Sequence, residues 1–111
     1  MSLPNSLNAL VTDEKVRDYL LAETHPQNKG KAKFFFQIGF TLENYEVLQQ
    51  ALKRVASEGA VRTSMHTEFG EKFVVLGLLT APNGKVYPIE SVWILEKKLE
   101  IPRLVTAYPF P

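Results

Sequence analysis

The chain has 111 residues, 45% of them hydrophobic and 23% charged, which gives room for one globular domain and is too short for two catalytic ones. Thirteen Lys plus Arg against twelve Asp plus Glu leave a net charge of +1, which argues against global attraction to nucleic acid or anionic membrane, so any anion site must be local. The absence of cysteine removes thiolate nucleophiles, Cys-based zinc sites and iron–sulfur clusters, and fits a reducing compartment.

The first half reads as helical, over residues of about 12–58. Thr12 or Asp13 caps a helix running to about Ala22, with Val16, Tyr19 and Leu20 on one face and Asp13 and Glu14 suited to the positive end of the helix dipole. His25-Pro26 stops it. A short helix follows over Lys31 to Ile38, with Gly39 as its left-handed terminator; a buried strand is the alternative reading. From Leu42 or Glu43 to Ser57, the spacing of Tyr45, Leu48, Leu52 and Val55 predicts a third helix, with Thr41 as cap and Gly59 as stop.

Beyond Gly59 the pattern changes to strands, over residues of about 60–108. Val61, Thr63 and Met65 alternate with Arg62, Ser64 and His66, the period of a half-exposed strand, and Phe69-Gly70-Glu71 turns the chain. Lys72 to Leu79 is apolar at nearly every position, as in a central strand buried on both faces, and Pro82-Asn83-Gly84 suits a tight hairpin. A third strand, Lys85 to Glu96, puts Tyr87, Ile89, Ser91, Trp93 and Leu95 on one face. Its Pro88 points to an edge, a bulge or a late start. Lys97 to Pro102 reads as a loop, and Arg103 to Tyr108 as the last strand, with Leu104, Thr106 and Tyr108 on one side. The expected architecture is one α+β domain spanning residues 1–111, about three N-terminal helices packed on a four-stranded antiparallel meander. No apolar run approaches the roughly 18 residues of a membrane span. Residues 1–10 lack the order of a signal peptide, so the expectation is a soluble, cytoplasmic protein without membrane contact.

Chemistry-bearing residues concentrate in two places. His25 lies among Lys29, Lys31 and Lys33, where an imidazole suited to proton transfer near neutrality meets the densest cationic run. The plainer reading has His25 at a helix C-terminus and the lysines solvating a loop. The Arg103-Leu104-Val105-Thr106-Ala107-Tyr108-Pro109 segment gathers a guanidinium, a hydroxyl and a phenol, which suit a phosphate and a neighbouring base. An ideal strand points Thr106 and Tyr108 the same way and Arg103 oppositely, unless a bulge re-aims it. Gly30 sits in no phosphate-loop pattern. His25 and His66, 41 positions apart, form no metal-ligand spacing, and His66 reads as a surface residue. Glu90 faces an apolar side of its strand, where a lone carboxylate would be costly, so exposure at an edge is expected.

The segments Asp18-Tyr19-Leu20-Leu21, His25-Pro26, Gly30-Lys31-Ala32-Lys33-Phe34-Phe35, Gly39-Phe40, Pro82-Asn83-Gly84, Val92-Trp93-Ile94 and Leu104-Val105-Thr106-Ala107-Tyr108-Pro109 resemble an uncharacterised bacterial domain family, over nearly the whole chain. That family in turn resembles the barnase, EndoU, colicin and RelE-like group of small metal-independent ribonucleases, many of them toxins. The Thr106-Ala107-Tyr108-Pro109 end is similar to the Thr-x-Phe/Tyr-Pro end of EndoU-like toxins. The resemblance implies substrate contact by Thr106 and Tyr108, and makes His25 and Lys31 candidates for proton transfer and phosphate neutralisation. EndoU-like enzymes use two histidines, whereas no matching motif surrounds His66; the resemblance therefore implies that Lys31 or Arg103 replaces the second, or that catalysis is lost. The leading expectation is an endoribonuclease forming a cyclic phosphate, possible toxin of a toxin–antitoxin pair, with His25, Lys31 and Thr106 catalytic and Tyr108, Arg103 and Lys33 binding substrate. No cofactor or metal is expected, and the partners would be RNA and a cognate antitoxin or other protein. The competing expectation is a non-catalytic protein-interaction module.

Overall fold

The computed structural model describes residues 2–110. Thr12 opens the helical half. Its Oγ1 accepts the Lys15 N–H at 3.1 Å and caps α1 (Asp13–Lys15), which runs directly into a π-helical turn, Val16–Leu20. The Leu21 N–H closes that turn on the Val16 carbonyl at 2.9 Å, so the helix expected to reach Ala22 ends at Leu20. The wider turn sets Val16, Leu20 and Leu21 together in the core.

The next helix, α2 (Lys31–Gln37), fits the helical reading and excludes the strand alternative. Ala32, Phe35 and Ile38, three residues apart, are buried, and Gly39 takes φ of 110° to turn the chain out. Helix α3 (Tyr45–Glu58) starts two or three residues later than expected, because the Thr41 hydroxyl accepts the Asn44 N–H and so caps the turn before it. Leu48, Leu52, Val55 and Ala56 are its buried stripe. A side chain at Gly59 would stand 2.6 Å from the Val55 carbonyl and 2.8 Å from that of Leu76, so close approach to the sheet, with φ of −79°, is what requires glycine there.

Four antiparallel strands follow in sequential order: β1 (Ala60–Thr67), β2 (Gly70–Thr80), β3 (Val86–Glu96) and β4 (Arg103–Pro109). Helices therefore precede a meander, the expected α+β arrangement. The helices cover one sheet face, where Phe73, Val75, Leu79, Ile89, Trp93 and Leu104 join the helical core. A polar chain within it is satisfied: the Trp93 indole donates to the Ser91 hydroxyl at 2.8 Å, and that hydroxyl donates to the Val75 carbonyl at 3.0 Å.

The other face is uncovered, and this corrects three expectations. Strand β2 is not buried on both faces, since Leu78 is exposed and Val74 and Leu76 are half-buried. Edge strand β1 is nearly all exposed instead of alternating, and an irregularity between Val61 and Thr63 breaks its period. Glu90 is not exposed at an edge, because β3 is central; its carboxylate is 13% accessible and ion-paired with Arg62 from β1 across the open face. Pro88 also sits in this central strand. None of the edge, bulge or late start expected for it is found, since β3 begins at Val86 and pairs with β2 without a break. Its carbonyl accepts the Phe110 N–H at 2.9 Å, and its missing donor faces the side where β4 runs out at Pro109.

Strand β4 departs most from an ideal strand. Trp93 pairs with Leu104 and Val92 with Thr106, leaving Val105 as an extra, unpaired residue. Leu104 and Ala107 are both buried, so the expected alternation of Leu104, Thr106 and Tyr108 on one side does not hold.

Candidate active site

The loop joining the π-helical turn to α2 is held by one buried side chain. Asn28 donates through Nδ2 to the carbonyls of Tyr19 (2.5 Å) and Leu20 (3.3 Å), and its Oδ1 accepts the Ala32 N–H at 2.9 Å. The helix end, the loop and the start of α2 are thus tied together. Within that loop the His25 N–H donates to the Ala22 carbonyl, while the Gln27 N–H donates to His25 Nδ1 at 3.0 Å. That bond places the ring proton of the neutral imidazole on Nε2, the nitrogen left for a ligand.

Loop, helix and last strand meet at an open cleft of about 360 Å³, lined by Lys15, Tyr19, His25, Gln27, Val105 and Thr106. Tyr19 is its centre. Its hydroxyl and the Thr106 hydroxyl share a 2.9 Å hydrogen bond, and its ring meets His25 edge-on with centroids 5.0 Å apart. The ammonium of Lys15 stands 4.9 Å from that ring's centroid, and that of Lys31 stands 5.6 Å away. The Val105 bulge sets Thr106 opposite Val92 on this edge strand, from where its hydroxyl reaches Tyr19.

These neighbours set the charge behaviour of the cleft. Burial pushes the Tyr19 phenol up, but hydrogen bonds with Thr106 and Lys31 and the charges of Lys31 and Lys15 outweigh it, leaving the phenol below the usual tyrosine range. Burial also lowers Lys15, against the attraction of Tyr19 and with the repulsion of Arg103. The cleft joins cations, hydroxyls and an imidazole, a combination suited to an oxyanion.

His25 and Thr106 line this cleft; Lys31 stands behind it, its ammonium beside the Tyr19 ring and donating to the Gln27 and Asn28 carbonyls, while the other candidates lie elsewhere. The bulge puts Arg103 on the same sheet face as Thr106 and Tyr108, opposite Ile94, Val92 and Glu90, but Arg103 bonds Glu96 at 2.8 Å and lies outside the cleft. Tyr108 stands opposite Glu90, and burial first, then hydrogen bonding and charge repulsion from Glu90, raise its phenol. Lys33 is exposed on α2 and lines no part of the cleft. His66 is exposed and bonds Glu71 at 3.2 Å. A larger groove of about 770 Å³ on the open sheet face includes His66, Phe69, Lys72, Ile94 and Arg103, but His66 and Arg103 are already paired with carboxylates. Sequence reading missed Tyr19, taken as one of a helix's apolar stripe, and Lys15. Their four-residue spacing on one helix face was the available signal.

A small α+β domain with a His–Tyr–Lys–Thr cleft between its helical layer and last strand is the class defined by this fold and geometry. The chain belongs to the family described as Domain of unknown function (DUF6883), which matches residues 2–111. No curated protein matches. Among solved structures, it is similar to a chain from the "Contact-dependent growth inhibition toxin - immunity protein complex from Klebsiella pneumoniae 342", with a TM-score of 0.74 over 96% of this chain and 97% of that one, at 16% identity. At that identity the likeness is one of fold. Among the described residues no helix is long and apolar enough to cross a membrane, and no group of three or more His, Asp or Glu is placed to hold a metal ion.

Proposed function

We propose that this domain is a metal-independent endoribonuclease of the toxin type, cutting RNA by attack of a 2′-hydroxyl on the adjacent phosphate. The reading is carried by one observation: an imidazole from the helical half and a hydroxyl from the last strand border the same open cleft, 81 positions apart in the chain, with two ammonium groups beside them. The O2′–P bond forms as the P–O5′ bond breaks, giving a 2′,3′-cyclic phosphate and a 5′-hydroxyl. Lys15 and Lys31 offset the charge of the phosphorane, and His25 Nε2–H donates to one of its non-bridging oxygens.

Purified protein incubated with a defined RNA in EDTA should leave cyclic phosphate ends, and His25→Ala should slow cleavage by about 10²-fold. Cleavage by His25→Ala at the full rate would remove His25 from the site, and no cleavage by the wild type would remove the nuclease reading.

A second reading, a protein-binding module of the immunity type, draws on the similar structure's origin in a toxin–immunity complex and on exposed Phe69 and Leu78. It requires an inactive wild type that forms a stable complex with another protein.

A further inference from the structure

Two proton transfers are needed in the proposed reaction, and the hydrogen bond held by His25 Nδ1 bears on which groups make them. With Nδ1 accepting from Gln27 and the proton on Nε2, the imidazole is arranged to donate to a phosphate oxygen, and neither nitrogen is free to take a proton. The group placed to do so is the phenol at the centre of the cleft. It is shared by every element around the site: Lys15 faces it from its own helix, His25 from the loop, Lys31 from α2 and Thr106 from β4.

Resting on the ribonuclease reading, we infer that Tyr19 is the general base, as phenolate, and Lys31 the general acid of the reaction. The phenolate oxygen takes the proton of the attacking 2′-hydroxyl while O2′ bonds to phosphorus. The electron pair of the breaking P–O5′ bond leaves on O5′, which takes a proton from the Lys31 ammonium. A proton then passes from the Tyr19 phenol to the Lys31 amine, the two groups both reaching the Gln27 carbonyl at 3.5 Å, and restores both. Lys15 remains charged, and Thr106 orients the phenolic oxygen through their shared hydrogen bond. The depression of the Tyr19 phenol supports the assignment, since it makes the phenolate easier to form than that of an ordinary tyrosine.

The test compares wild type, Tyr19→Phe and Lys31→Ala on one RNA in EDTA, with pH–rate profiles, and follows phenol ionisation by ultraviolet absorbance. Tyr19→Phe keeps the ring and should retain KM and the thermal transition while losing at least about 10²-fold in kcat together with the alkaline rise of the profile. Its difference spectrum should assign to Tyr19 the phenol ionising at the lowest pH, and Lys31→Ala should move that ionisation upward. Active wild type with equally active Tyr19→Phe overturns the inference and leaves the ribonuclease reading standing. Wild type that cleaves no RNA defeats that reading, and the inference with it.

Discussion

At the scale of residues, Tyr19 and Tyr108 illustrate how neighbours decide the behaviour of one chemical group. Both phenols are partly buried, yet Tyr19 meets two lysines and ionises more easily, whereas Tyr108 meets Glu90 and ionises less easily. A phenol depressed in the folded state adds stability as pH rises from its folded value towards the unfolded value of about 10, and that gain disappears as pH falls through the folded value. Tyr108 works the other way: its contribution is present below the unfolded value and is lost as pH rises through its folded one. Thr106→Val removes one of the hydrogen bonds that hold Tyr19 down, so the Tyr19 ionisation seen by ultraviolet titration should shift to higher pH, and the alkaline gain in stability should shrink. An unmoved ionisation would show that Thr106 does not act on the phenol. His25 and Thr106 were each legible from chemistry alone, as an imidazole in a basic run and a hydroxyl in a polar strand. Their meeting was not, because Tyr19, which joins them, carries the sequence signal of a helix's apolar stripe and is used for its hydroxyl instead.

Elements whose burial is set by their own period were readable in advance. Helix α3 shows its stripe of Leu48, Leu52 and Val55, and β3 alternates Ile89, Ser91 and Trp93 into the core as expected. Strand β2 was not, because a run such as Val74-Val75-Leu76 does not say whether anything covers its second face; the helices cover one face, and Leu78 on the other is exposed. The bulge in β4 is equally silent in sequence; it sets Thr106 opposite Val92 and puts Ala107, in its place, into the core opposite Ser91.

For the whole molecule, a net charge of +1 leaves recognition to a local site, and two sites compete for the role. One is the cleft between helices and β4, where Lys15 and Lys31 surround a phenol. The other is the wider groove on the open sheet face, whose His66 and Arg103 are matched by Glu71 and Glu96. An anion should choose the first, since two ammonium groups flank its phenol. Among the described residues the groove offers Lys72 alone without a carboxylate partner, and it places Glu68 and Glu96 beside it. The most direct measurement is a nuclear magnetic resonance titration of the isotope-labelled protein with a short oligonucleotide carrying 2′-deoxyribose, which binds without being cut. The account predicts saturable shifts at Lys15, Tyr19, His25, Gln27, Lys31 and Thr106, with His66, Phe69 and Ile94 unmoved. Shifts confined to the open sheet face, or none at either place at concentrations that hold single-stranded nucleic acid elsewhere, would contradict it.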